Sequence, residues 1–242
     1  MAIRSVDDAS LTAVADAIRA KGGTSEALVF PDGFVSAVEV IQAGGDEDYL
    51  EKRLTNTLTS YENDKITKLV ISSFAECISL SYVNFPNVTD IEANCFIGSG
   101  LETALFPSIK NFQYGLFRNC SKMKEMIFKQ PTLCPSGGWA EIFSGCSSIK
   151  KIDFKYVDRI SGYGPFMRTE LLEALIIRNE DIICNLSVTN AFTNSAIANG
   201  TGYIYVPSVL LDDYKAATNW ATYADQFRAI EDYPEICGEV TS

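Results

Sequence analysis

The chain has 242 residues, 47% of them hydrophobic, with a mean hydropathy near zero and a formal net charge of −11. This composition is typical of a globular protein with a large core and excludes a disordered chain. Residues 1–48 carry a net charge of −6 and residues 207–242 a net charge of −5, whereas the stretch between them is neutral. The sequence has no basic stripe, so nucleic-acid binding is not predicted. It has no run of ~18 apolar residues, so membrane insertion is not predicted.

The first 48 residues contain two short amphipathic segments. Residues 6–21 place apolar side chains at helical spacing and end at a glycine pair, and a second such segment begins at Phe34 and ends at Gly44 and Gly45. Helices this short are marginal without tertiary contacts. They are therefore predicted either to cap the rest of the chain or to form an anchoring and oligomerising module. The glycine pair and the acidic residues 46–48 after it are typical of a hinge, which favours the anchoring module.

A repeat with steps of 21 to 26 residues fills residues 49–203. Each unit opens with a phenylalanine, and the unit at Phe74 continues as Phe-x-x-Cys-x-x-Leu-x-x-Val-x-Phe. A period in the twenties with this apolar pattern is typical of a leucine-rich-repeat solenoid, in which each coil is stable only against its neighbours. The sequence thus predicts an α/β repeat solenoid. The opening residues predicted to lie in its core are Phe74, Phe96, Phe117, Phe143, Phe166 and Phe192.

The chain has seven cysteines and no histidine. Cys77, Cys120 and Cys146 share one repeat position, which Ser or Thr occupies in other copies, so this position is interpreted as a small, partly polar core site. No Cys-x-x-Cys pair exists, and neither a metal site nor a cofactor is predicted. The lack of histidine excludes a Ser–His–Asp or Cys–His nucleophile. A pair of carboxylates remains possible, but the acids of the coils alternate with lysines, and the sequence predicts a protein that is not an enzyme.

Two coils carry insertions, at residues 130–140 and 179–191. Insertions in a solenoid form loops on one face, often the face that binds. Exposed aromatic rings on such a scaffold suit sugars or protein loops. The candidate ligand-binding residues are Trp139 in the first insertion, Tyr82 on a predicted strand, and Tyr114, Tyr156 and Tyr163 between the ladder positions. The alternative is that these are ordinary surface tyrosines of a β-rich protein.

Residues 204–242 are predicted to form a terminal cap. A final strand over residues 203–206 is followed by a helix that opens at Pro207. Its inward residues are predicted to be Leu210, Leu211, Tyr214 and Ala217, followed along the chain by Trp220, Tyr223 and Phe227. A cap of this kind hides the last apolar edge of a solenoid.

Two resemblances follow from these segments. The units at Phe74 and Phe143 resemble the BspA-like class of bacterial leucine-rich repeats, and residues 204–226 are similar to the terminal cap of those proteins. Residues 8–26 and the segment Phe-Pro-Asp-Gly-Phe at residues 30–34 look like a leader found on tail-associated proteins of phages and prophages of Gram-positive gut bacteria.

The resemblances imply a phage or prophage virion protein of the tail or baseplate that presents the solenoid to a bacterial host surface. Its expected partners are a surface glycan or protein, other virion proteins through residues 1–48, and further copies of itself. The first eight residues show no apolar segment of a secretory signal, which favours a particle assembled in the host cytoplasm. The alternatives are a bacterial cell-surface adhesin of the BspA-like class and a phage head decoration protein that binds no receptor.

Overall fold

A computed structural model describes residues 47–135 and 138–238 of the chain, which divides into two compact units, residues 1–58 and 59–242. The two predicted N-terminal helices lie outside the described residues. In the first unit, helix α1 (Glu47–Leu54) begins within the acidic residues 46–48, whereas the glycine pair of the predicted hinge lies outside the described residues. Lys52 and Arg53 lie in its last turn, where positive charge interacts favourably with the helix dipole.

The second unit consists of short parallel strands that form a β-solenoid. One row of strands comprises β1 (Ser60–Glu62), β3 (Tyr82–Asn84), β5 (Thr103–Leu105), β7 (Glu125–Thr132), β8 (Lys151–Val157), β10 (Ala174–Ile177) and β12 (Tyr203–Val206). A second row comprises β2 (Lys68–Leu69), β4 (Asp90–Ile91), β6 (Asn111–Phe112), β9 (Arg159–Ile160) and β11 (Asn185–Leu186). The strand pairings between coils are parallel, which confirms the predicted repeat solenoid. The solenoid has about seven turns.

Aromatic rings form the interior of this unit. The six phenylalanines that open the units are buried and stack in chain order, with ring centroids 5.2, 5.8, 5.5, 5.9 and 5.2 Å apart. Phenylalanines in or directly after the strands stack in pairs, Phe85 on Phe106 at 5.7 Å and Phe128 on Phe154 at 4.7 Å. Each ring therefore completes its contacts only with the coils before and after it.

The shared cysteine position lies on the turn that follows each opening phenylalanine. The thiols of Cys120 and Cys146 each donate to the carbonyl of the phenylalanine in the preceding coil, at 3.0 Å, and Thr169 donates to Phe166 at 2.8 Å. Burial raises the pKa of Cys120 to about 12, so this thiol stays protonated at neutral pH. These contacts confirm that the position takes a small side chain with one polar hydrogen.

The C-terminal segment closes the last coil with an extra strand. A 3-10 turn (Ser208–Leu210) leads into α2 (Leu211–Ala216), a second 3-10 segment (Trp220–Gln226), strand β13 (Phe227–Ala229), a third 3-10 turn (Ile230–Asp232) and α3 (Pro234–Cys237). Strand β13 pairs with β12, which the sequence pattern did not indicate. Leu211 and Ala217 are half-buried rather than inward, because α2 ends after only six residues. No helix among the described residues is long and apolar enough to cross a membrane.

The outer face of the first strand row is covered at one end and open at the other. Ile230 and Cys237 pack with Ile176 and Tyr205 in one apolar cluster over β10 and β12. The ammonium group of Lys151 on β8 donates to the carbonyl of Ile236 at 2.9 Å. The outer face of β3, β5 and β7 instead carries half-buried or exposed side chains. The C-terminal segment is thus a strap across one half of the sheet.

Candidate functional site

A cavity of the second unit lies where four neighbouring strands end. It has a volume of about 870 Å³ and opens at the carboxyl ends of β7, β8, β10 and β12, beside the start of the strap. A cavity of this size is in the range of small-ligand sites. We call it the edge cleft; its lining comprises Pro131, Lys155, Tyr156, Arg178, Glu180, Asp181, Pro207, Val209, Ile230 and Glu231.

Both insertions contribute to the edge cleft. The first supplies Pro131 and the second supplies Glu180 and Asp181. The first insertion was predicted to be a loop, but its start extends strand β7 to Thr132. Pro131 pairs with Tyr156 after a shift of register that follows Phe128, and this irregularity accommodates a residue without a backbone N–H.

A buried asparagine fixes the start of the second insertion. The side-chain oxygen of Asn179 accepts from the backbone N–H of Val157 at 2.9 Å, and its amide nitrogen donates to the carbonyl of the same residue at 2.8 Å. Asn179 therefore continues the sheet with its side chain, next to the end of β8. These two bonds hold Glu180 and Asp181 at the rim of the edge cleft.

An ion pair forms the floor of the edge cleft. Arg178 donates from Nε and Nη2 to the two carboxylate oxygens of Asp153, at 2.8 and 2.9 Å, and also to the carbonyl of Cys237. The hydrogen bond to Asp153 raises the pKa of Arg178 above its usual value. Asp153 is only 5% exposed, and the guanidinium group of Arg178 uses its hydrogen bonds within the protein. Its role is to fix the floor and the strap.

The remaining charged groups of the edge cleft face solvent. The carboxylate of Glu231 accepts from the backbone N–H of Ser208 at 3.0 Å. Within the described residues, no ion pair includes Lys155, Glu180 or Asp181. A tyrosine and two prolines beside separate acidic and basic groups offer an apolar surface with polar partners, which is the chemistry of ligand binding. The described residues hold no group of three or more Cys, Asp or Glu side chains placed to bind a metal ion.

Trp139 does not lie at the surface. Its side chain is 0% exposed, and its ring stacks on Phe112 at 4.9 Å and on Phe154 at 5.6 Å. The expectation of an exposed ring was therefore wrong. The first insertion ends by returning to the core, where the large indole fills the space between two coils whose second strand row is interrupted.

The four predicted tyrosines lie in three places. Tyr156 lines the edge cleft, and Tyr82 lies half-buried on the outer face of β3. Tyr114 and Tyr163 are 48% and 60% exposed on the turns that precede Phe117 and Phe166. The structure does not gather the candidates into one site. Glu180 and Asp181 could have been predicted as site residues because they belong to the second insertion. For Lys155 and Arg178, only their position at strand ends indicates a place in the site.

The comparison with known proteins concerns the first coils. The family model described as "BspA type Leucine rich repeat region" matches residues 52–137 with six copies. No curated protein matches the chain. The repeats of residues 52–137 are thus similar to the BspA type, and parallel pairing between coils recurs beyond them, from β7 through β8 and β10 to β12.

Proposed function

We propose that the protein binds a bacterial surface through its solenoid and is carried on the tail or baseplate of a phage or prophage. The edge cleft supports the binding role, because both insertions of the repeat meet at it. In this proposal, residues 1–48 attach the protein to other virion proteins and to further copies of itself, and the particle assembles in the host cytoplasm. The ligand is a surface glycan or protein, and the protein binds it without altering it.

A second carrier fits the comparison at least as well. The match to BspA-type repeats favours an adhesin-type repeat protein displayed on a bacterial surface. The binding surface is the same in both cases, and the two proposals differ only in what displays it. A phage head decoration protein would use the solenoid differently, because it would bind no cells.

We expect Tyr156→Ala to weaken binding of the purified, fluorescently labelled full chain to intact Gram-positive bacteria by about tenfold, because an aromatic anchor in a cleft dominates binding. Flow cytometry over a protein concentration series measures the change. Tyr156→Phe retains the ring and should bind within about threefold of the wild type.

Tyr82→Ala, on the open sheet face, is the matched control and should bind like the wild type. Loss of binding in this variant alone would move the site from the edge cleft to the sheet face. A wild-type chain that binds no cells would reject the attachment role and favour a decoration protein.

Deletion of residues 1–48 tests the carrier. If the leader anchors the chain, particles assembled with the deleted protein should contain almost none of it, while the purified solenoid should still bind cells. Immunoblotting of gradient-purified particles measures incorporation. Normal incorporation of the deleted chain would refute the anchoring role, and a full-length chain found on the bacterial envelope would favour the adhesin.

A further inference from the structure

Tyr114 and Tyr163 belong to one row of equivalent positions, three residues before each of the first five opening phenylalanines, from Phe74 to Phe166. The row also contains Ile71, Ala93 and Ala140. Backbone hydrogen bonds connect the coils in order, from the N–H group that follows one row position to the carbonyl of the next row position. They join Ser72 to Ala93 at 3.2 Å, Asn94 to Tyr114 at 3.0 Å, Gly115 to Ala140 at 2.8 Å and Glu141 to Tyr163 at 2.8 Å. The five positions are therefore stacked coil on coil.

The backbone turn that follows each of these five positions recurs from coil to coil. Each is followed by a residue with a positive φ, between 50° and 64°, at Ser72, Asn94, Gly115, Glu141 and Gly164. The same turn of the backbone recurs after Tyr114 and Tyr163, although Gly162 before Tyr163 has a φ of 90° that the other four coils of the row do not repeat. Large side chains alternate with alanine: Ile71 is 57% exposed, Tyr114 48% and Tyr163 60%.

The alternation sets the spacing of the rings. Hydrogen-bonded coils lie ~4.8 Å apart, so large side chains in every second coil lie ~10 Å apart along the row. Ala140 leaves the space between the two tyrosines free of a bulky side chain. Neither tyrosine makes a side-chain hydrogen bond or a ring contact within the described residues.

We propose that this row, which we call the tyrosine row, binds a linear β-1,4-linked polysaccharide along the solenoid axis. Such a chain is extended, and every second sugar presents the same apolar face at about the same interval as the tyrosines. A pyranose stacks its C–H face on an aromatic ring, as other flat apolar groups do. Gln113, directly before Tyr114, is exposed and would supply a polar partner for sugar hydroxyls, whereas the carboxylate of Glu141 already accepts from Arg118 at 2.9 Å. The inference rests on the proposed attachment role and adds to the edge cleft a second surface, to which a surface glycan would bind.

Isothermal titration of the full chain with hexa-N-acetylchitohexaose tests the proposal. The wild type should bind this β-1,4-linked hexamer, and maltohexaose, whose α-1,4 linkage curves the chain, should bind at least about tenfold more weakly because its sugar faces do not repeat in line. Tyr114→Ala and Tyr163→Ala should each weaken binding by about fivefold. Tyr114→Phe and Tyr163→Phe retain the rings and should restore most of the affinity.

Three results would overturn the proposal: no binding of the β-linked hexamer, equal binding of maltohexaose, or alanine variants with unchanged affinity. Sedimentation velocity adds a fourth, since dimers that depend on the two tyrosines, without sugar binding, would assign the row to a second copy of the chain. Cell binding separates the two proposals. A wild type that fails to bind cells refutes the attachment role, whereas cell binding without tyrosine-dependent hexamer binding refutes this inference alone.

Discussion

Phe117→Ala is expected to lower the free energy of unfolding by about 3–5 kcal/mol. The ring of Phe117 is fully buried in the middle of the phenylalanine row, with its centroid 5.8 Å from Phe96 and 5.5 Å from Phe143. Alanine would leave a cavity that the neighbouring rings cannot close, because each of them is held by its own coil. The loss falls on two interfaces between coils, which are what stabilise a solenoid. Urea denaturation followed by far-UV circular dichroism measures it.

A conservative and a nearby change give the controls for Phe117. Phe117→Leu keeps most of the buried volume and should cost less than half as much as alanine. Tyr114→Ala, three residues away and half exposed, should change the free energy of unfolding by at most ~0.5 kcal/mol. An unfolding midpoint of Phe117→Ala equal to that of the wild type would show that the coils do not depend on the row.

The repeat made the core predictable from the sequence. One apolar pattern occurs in each coil, and the burial of Phe74 implies the burial of Phe192 by the same spacing. The small polar position of Cys120 and Cys146 could be predicted for the same reason, since Ser and Thr alternate with Cys there. A pattern that repeats averages over local exceptions, and this makes it more informative than any single segment.

The features that the sequence did not reveal depend on contacts between distant residues. The proline- and glycine-rich context of Trp139 is typical of an exposed loop, yet burial beside Phe112 and Phe154 determines where its ring lies. Strand β13 is three residues long and is defined by its pairing with β12. The edge cleft, too, exists only because two insertions forty-nine residues apart meet at the same sheet edge.

The pair of Asp153 and Arg178 gives the second large prediction. We expect Asp153→Ala to lower the free energy of unfolding by about 3 kcal/mol, because it leaves a half-buried guanidinium without its carboxylate. Glu173→Ala removes the partner of Lys150 from a pair whose side chains are both mostly exposed, and should cost no more than ~1 kcal/mol. Thermal unfolding of the two variants beside the wild type makes the comparison. Equal midpoints for the two variants would mean that burial adds nothing to the pair.

The same substitution should also release the strap. Arg178 joins Asp153 to the carbonyl of Cys237, so an arginine that turns towards solvent gives up its contact with the strap as well. Burial raises the pKa of the Cys237 thiol to about 11, and a maleimide should therefore label the wild-type residue slowly at pH 8. In Asp153→Ala the strap should open more often, and labelling of Cys237 should therefore accelerate by a larger factor than labelling of the other six buried thiols, which follows the loss of global stability. Peptide mass mapping of the labelled protein distinguishes this local opening from global unfolding, which would accelerate labelling equally at all seven.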